Sequence, residues 1–211
     1  MTSVLIAGAT GLVGHHALLK ALADPRIERV IAPTRRPLDP HPKLNNPVID
    51  MSNLPKNADW WAVDNVICAL GTTRKKAGSA EAFRVIDYDL QYEIALHTHH
   101  HGARNFALTS SIGANANSLF LYLRTKGELE NSISRLPWQS LTILRPGTII
   151  GSREDSRLNE KIISTALKLL SPIISKKYHG NHAEDIASTL LNSVLSGNSG
   201  LHILEADRIH K

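Results

Sequence analysis

The stretch Val4-Leu5-Ile6-Ala7-Gly8-Ala9-Thr10-Gly11-Leu12-Val13-Gly14 decides how this chain folds. An apolar run ends in three glycines spaced three apart and passes directly into Leu12–Leu22, which reads as a helix. The run suits a buried parallel strand, so strand, turn and helix form the first half of a βαβ unit. Each glycine meets a different steric demand. Gly8 permits the tight turn off the strand, Gly11 leaves room for a pyrophosphate against the backbone, and Gly14 lets the helix pack closely on the strand. The helix N-terminus adds free N–H groups and the positive end of its dipole. The spacing is G-x-x-G-x-x-G rather than G-x-G-x-x-G, and its place between strand and helix points to a dinucleotide site.

From this turn onward strand and helix alternate. Asp24-Pro25 ends the first helix, Arg29–Ala32 reads as the second strand, and the proline-rich Pro33–Pro47 as a loop. Val48-Ile49 is expected as a short third strand, Asp64–Leu70 as the fourth, and Gly71–Gly78 as a polar basic loop. Ser79–His100 reads as one long helix with Ala82, Val85, Ile86, Leu90, Ile94 and Leu96 on one stripe. Arg104–Leu108, a helix over Asn117–Leu136, and Leu141–Leu144 follow, then helices over Asn159–Leu170 and Ala183–Leu195 and a last strand, Leu201–Leu204. Such alternation predicts an α/β fold with a doubly wound parallel sheet and helices on both faces. The 211 residues suit a single domain, with a small C-terminal substrate lobe over residues 146–180 above the carboxyl ends of the strands.

Composition narrows the class. Hydrophobic residues make up 42% and charged residues 20%, as in a soluble globular protein, and no apolar run has the ~20 residues of a membrane span. The first residues read as strand rather than as a signal or transit segment. The single cysteine, Cys68, lies in the apolar run Val66–Leu70 and reads as a buried structural thiol. Together these predict a cytoplasmic protein. The net charge of +5 comes from short, dispersed groups (Arg35-Arg36, Arg74-Lys75-Lys76, Lys176-Lys177) without interleaved aromatics. That pattern disfavours nucleic acid and suits a polyanionic small ligand. His97-Thr98-His99-His100-His101 has metal-like spacing, but it lies at a helix end where imidazoles complement the dipole, so no metal is expected.

The second strand bears on the choice of cofactor. In dinucleotide folds an acidic residue at its end holds the ribose 2′-hydroxyl of NAD, whereas arginine accepts the 2′-phosphate of NADP. Here the chain reads Ala32-Pro33-Thr34-Arg35-Arg36, with two guanidinium forks and no carboxylate, which favours NADP(H). Two further stretches suggest chemistry. Thr109-Ser110-Ser111 places hydroxyls at the end of the fifth strand, and Tyr122-x-x-x-Lys126 puts a phenol and an ammonium on one face of the next helix. A phenol, with its usual pKa near ~10, is a poor base at neutral pH. An adjacent ammonium favours the phenolate and makes the tyrosine a usable general acid–base.

Taken together, the glycine turn, Ser110-Ser111 and Tyr122-x-x-x-Lys126 resemble a short-chain dehydrogenase/reductase of the extended or atypical kind. The segments Cys68–Gly78, Phe83–Asp89, Phe120–Glu128 and Leu144–Gly147 resemble the Tat-interacting-protein subfamily, whose members include a mammalian NADPH-binding regulator. The resemblance extends to about Gly151. It implies an NADP(H)-binding Rossmann fold with Ser111, Tyr122 and Lys126 at the catalytic positions, Ser111 being preferred to Ser110 for its distance past the strand. It also places Gly8, Thr10, Gly11, Leu12, Val13 and Gly14 around the pyrophosphate, Arg35 and Arg36 at the 2′-phosphate, and Asp50 and Met51 beside the adenine. Leu70, Gly71 and Thr72 would line the middle of the cofactor. Tyr122 and Lys126 would reach its nicotinamide ribose side, and Pro146, Gly147 and Thr148 would flank the nicotinamide. One departure is Ala69-Leu70-Gly71, which stands where the family usually has Asn-Ala-Gly. The activity implied is hydride transfer to or from a small-molecule carbonyl or alcohol. The alternatives are a non-catalytic NADPH-binding regulatory module and a nucleotide-sugar epimerase or dehydratase. No membrane partner is expected, and a homodimer or a protein partner is left open.

Overall fold

The computed structural model describes residues 2–151 and 180–209. Seven parallel strands form one sheet: β1 (Ser3–Ala7), β2 (Arg29–Ile31), β3 (Leu44–Asn45), β4 (Asn65–Cys68), β5 (Asn105–Thr109), β6 (Ser140–Arg145) and β9 (Gly200–Glu205). Their order is β3-β2-β1-β4-β5-β6-β9. The chain moves outward from β1 to β3, then returns to the far side of β1, so the direction of winding reverses between β1 and β4. A second, two-stranded sheet pairs β7 (Ile149–Ile150) with β8 (Asn181–His182). Most of the lobe expected over residues 146–180 falls outside the described residues. So does the helix expected over Asn159–Leu170.

Alternation along the strands builds two cores. Val4, Ile6, Ile67 and Ala107 face α1 (Leu12–Ala23) and the late helix α6 (Ala183–Ser196). Leu5, Ala7, Val66, Cys68, Phe106 and Leu108 face α4 (Leu90–His100) and α5 (Leu121–Ser134). All five residues of β1 and all four of β4 are buried, as expected of central strands covered on both faces.

Three expectations are corrected. The third strand is Leu44–Asn45, inside the stretch read as a loop. Val48 contributes only an isolated bridge to Thr34, because Pro33 and Pro47 lack the N–H needed to continue the ladder. The long helix is three pieces. These are α3 (Ala80–Arg84), a π-helical turn over Val85–Asp89 that shifts the register, and α4; a one-turn α2 (Arg74–Ala77) precedes them within the stretch read as a polar loop. Val85 and Leu96, both assigned to the apolar stripe, therefore face solvent, and Asp87 turns inward. The helix expected from Asn117 starts at Leu121. The side chains of Asn115 and Ser118 accept from the N–H groups of Asn117 and Phe120, which makes turns where the helix would begin.

Helix α5 is set against the loop before it at Gly127. A Cβ there would lie far inside contact distance of the backbone of Asn115 and Ala116. Gly71, by contrast, has ordinary van der Waals room for a methyl group. Gly127→Ala should therefore cost about 3 kcal/mol of stability through overpacking, and Gly71→Ala within about 0.5 kcal/mol. Urea unfolding of the two variants against the parent protein checks both.

Candidate functional site

The turn between β1 and α1 is built on backbone contacts. Gly8 adopts φ +88°, a region that disfavours side chains, and a Cβ on it would come within 2.7 Å of the Ala69 carbonyl oxygen after β4. A Cβ on residue 14 would collide with the Gly8 carbonyl, and the Gly11 N–H donates to that same oxygen at 2.7 Å. The start of α1 has neither a side-chain cap nor an acidic residue in its first turn. The positive end of its dipole thus meets no carboxylate of its own first turn at the carboxyl edge of the sheet, which fits a pyrophosphate. Leu12 also meets Gly151, where a Cβ would sit 3.0 Å from Leu12 Cδ2.

Past β2, the segment with Arg35 and Arg36 is fixed from below. Asn46 Nδ2 donates to the Ala32 carbonyl (2.5 Å) and to Thr34 Oγ1 (2.8 Å), while Thr34 Oγ1 donates to the Arg36 carbonyl (2.6 Å). Both guanidinium groups are exposed and form no ion pair among the described residues. Asp50 is exposed and accepts from the N–H and hydroxyl of Ser52, bonds that hold its carboxyl below the usual range. Met51 packs partly against the core on the α4 and α5 side.

The exit from β4 meets α5 through a residue that the sequence reading did not single out. Asp87 Oδ1 pairs with Lys126 Nζ at 2.8 Å, and Asp87 Oδ2 accepts from the Thr72 N–H at 2.8 Å. Both side chains of the pair are almost wholly buried, at 0% and 4% exposure. Thr72 and Lys126, two of the expected site residues, are therefore joined by one carboxylate, with the Gly71 backbone beside the pair. Cys68 lies just beneath, and burial pushes its thiol up to about 11. Tyr122 stands one turn before Lys126 and is 42% exposed, its ring packed against Phe83 with centroids 6.0 Å apart.

The two serines have different surroundings. Ser110 is buried and donates to Glu130 Oε1 at 2.5 Å. Glu130 in turn takes a two-pronged bond from Arg145 (3.0 and 2.6 Å), and Arg145 also pairs with Glu205 at 3.1 Å. These carboxylates hold the Arg145 guanidinium above its ordinary pKa. Ser111 is half-buried and, among the described residues, makes only a 3.3 Å bond to the neighbouring Ile112 carbonyl. Its loop is tied to the end of β6 by Ile112 N–H donating to the Pro146 carbonyl (2.9 Å), and to α5 by Asn115 N–H donating to the Leu123 carbonyl (3.0 Å). Gly147 N–H donates to Asn181 Oδ1 (3.0 Å), whose amide donates to the Ala206 carbonyl (2.9 Å). Asn181 thus clamps the Pro146-Gly147-Thr148 segment, a role that only the fold makes visible. Elsewhere, His97 stacks on Trp61 at 5.0 Å and His101 Nδ1 lies 2.7 Å from the His97 carbonyl, so these imidazoles finish a helix.

A family profile described as HIM1 matches residues 41–179. The chain is 40% identical to the protein FMP52, mitochondrial, of Candida albicans over 73% of this chain and 70% of that one. It is 34% identical to the protein fmp52, mitochondrial, of Aspergillus fumigatus over 98% and 90%. Among solved structures it resembles a Bacillus halodurans protein provisionally described as an NAD-dependent epimerase/dehydratase, with TM-score 0.71, 18% identity, and 99% and 98% of the two chains covered. MoeE5 in complex with UDP-glucose and NAD gives TM-score 0.69 at 15% identity, over 99% of this chain and 79% of that one. The relatives' names correct the expected cytoplasmic location, since they are called mitochondrial. That expectation rested on a lone thiol and on local composition, neither of which specifies a compartment.

The burial of Cys68 makes one outcome measurable here. At pH 8 the folded protein should react with iodoacetamide at least about tenfold more slowly than the protein in denaturant, because the buried thiol stays protonated. Mass spectrometry of timed samples reads the difference.

Proposed function

This chain belongs to the HIM1/FMP52 family and has a Rossmann-like fold, and on that footing we propose that it is an NADP(H)-dependent oxidoreductase of the short-chain type, similar to the Tat-interacting-protein subfamily. The observation that carries this reading is the open start of α1 at the reversal point of the sheet, uncapped and free of acidic residues in its first turn. Gly8, Thr10, Gly11, Leu12, Val13 and Gly14 would hold the pyrophosphate there. The exposed Arg35 and Arg36 would take a 2′-phosphate, with Asp50 and Met51 toward the adenine. Leu70, Gly71 and Thr72 would line the centre, and Pro146, Gly147 and Thr148, clamped by Asn181, would flank the nicotinamide. When bound, the nicotinamide supplies or accepts the hydride.

The chain's own groups would handle the oxygen and its proton. Ser111, whose hydroxyl is not drawn into the Glu130 network, would hydrogen-bond the oxygen of a carbonyl or alcohol. Tyr122, accessible on the first turn of α5, would give the proton on reduction and take it on oxidation. Lys126 would steady the ribose side. A second reading, a cofactor-binding regulatory module without turnover, is favoured by one observation: the Lys126 ammonium is already engaged by the buried Asp87 carboxylate.

Titration with NADPH and NADH decides the cofactor. NADPH should bind more tightly, and replacing Arg35 and Arg36 by alanine should weaken NADPH about tenfold or more while leaving NADH nearly unchanged. Binding of neither nucleotide would overturn the reading. Tyr122→Phe should keep NADPH affinity within about twofold and lower carbonyl turnover by on the order of 10² to 10⁴. Undiminished turnover in that variant removes Tyr122 from the chemistry, and turnover absent from the parent protein across a panel of aldehydes and ketones favours the regulatory module.

A further inference from the structure

Asp87 is a buried carboxylate that the preceding chemistry does not use. It lies in the middle of the five-residue π-helical turn Val85–Asp89, a geometry that inserts an extra residue into a helix and tends to mark functional positions. The turn rotates Asp87 into the protein while Val85 and Asp89 on either side stay exposed. Inside, its two oxygens serve two elements: Oδ1 takes the Lys126 ammonium of α5, and Oδ2 takes the Thr72 N–H of the loop leaving β4. Buried ion pairs add little net stability compared with apolar packing of the same volume, because both ions lose their hydration. Fixing the direction of an ammonium is a more specific use for this one. Gly71 leaves the pair without a side chain above it, since a Cβ there would be the group lying 3.6 Å from Asp87 Oδ1 and 4.0 Å from Lys126 Nζ.

We infer that Asp87 is a positioning residue for the nicotinamide half of the cofactor site, acting through Lys126 and the Thr72 backbone. The carboxylate occupies one of the three ammonium donors and leaves the others for the ribose. At the same time it holds the Leu70-Gly71-Thr72 loop at a fixed height beside α5. This inference rests on the cofactor reading above, and it does not require that the protein turn over a substrate.

The test separates the two halves of the cofactor. NADPH and adenosine 2′,5′-bisphosphate, which lacks the nicotinamide ribose, are titrated into the parent protein, Asp87→Asn, Lys126→Met and the double variant, with thermal unfolding followed alongside. The asparagine keeps an acceptor for Thr72 but loses the ion pair. Asp87→Asn should weaken NADPH on the order of tenfold and leave the bisphosphate within about twofold. The double variant should bind NADPH no worse than the weaker single variant, because both act through one contact. Unchanged NADPH affinity in Asp87→Asn, or equal loss for both ligands, overturns the assignment and leaves Asp87 a structural residue. If the parent protein binds neither ligand, the cofactor reading itself fails and takes the assignment with it. Should Lys126→Met not fold, the contrast between the two ligands in Asp87→Asn decides alone.

Discussion

The carbonyl oxygen of Gly8 stands where a Cβ on residue 14 would go, and much of the structure follows from that closeness. It holds α1 against the turn that precedes it, so the helix begins a few residues after β1. The left-handed Gly8 in turn admits the Ala69 carbonyl, which draws the exit of β4 to the same point. Because β1 is the strand from which the chain winds outward in both directions, the loops after β1 and β4 diverge above it. A crevice at such a reversal point is where doubly wound sheets receive ligands. Two glycines with no room for a methyl group thus determine both the packing of α1 and the place where a ligand would sit.

A second constraint acts through α5. Lys126, Gly127 and Glu130 lie on its buried side, and each reaches a different neighbour. Lys126 goes to Asp87, Gly127 to the backbone at Asn115 and Ala116, and Glu130 to Ser110 and Arg145. The helix is therefore fixed to the β4 exit, to the serine loop and to the end of β6 at three points. Its exposed first turn, with Tyr122, adds the Phe83 ring and the bond from the Asn115 N–H to the Leu123 carbonyl to those contacts. The same network distinguishes the adjacent serines. Ser110 spends its hydroxyl on Glu130, and Ser111 keeps one nearly free.

What the sequence made legible was local. A strand-turn-helix with three glycines, an arginine pair at a strand end, and a tyrosine and lysine one turn apart are all patterns within a few residues, and the strands and helices that carry them are present, the last with a later start. Failures came where structure depends on partners far along the chain or on a break in period. The third strand lies at Leu44–Asn45 rather than at Val48-Ile49, because the prolines on either side mask a two-residue ladder. The helix stripe was assigned with one period throughout, and the π turn at Val85–Asp89 broke it. Asp87 and Lys126 lie 39 positions apart, a difference read from their numbers, and nothing nearby in sequence advertises their pairing. Asn181 and Gly147 meet across a similar separation.

These two kinds of feature divide the labour of the site. The glycine turn and the arginine pair, at the end proposed for the adenosine, are built mainly from short segments, with the Ala69 carbonyl as the distant contact of Gly8. The end proposed for the nicotinamide depends on long-range buried contacts: Asp87 with Lys126 and Thr72, Asn181 with Gly147, Glu130 with Ser110. Buried polar contacts of this kind hold geometry only when each member is satisfied, since a lost partner leaves a desolvated group behind. The end of the site where chemistry would occur is consequently the end that depends on the whole fold. A related sequence could keep G-x-x-G-x-x-G and Tyr-x-x-x-Lys in plain view and still lose the geometry, through a change at residue 87, 130 or 181 that no motif includes.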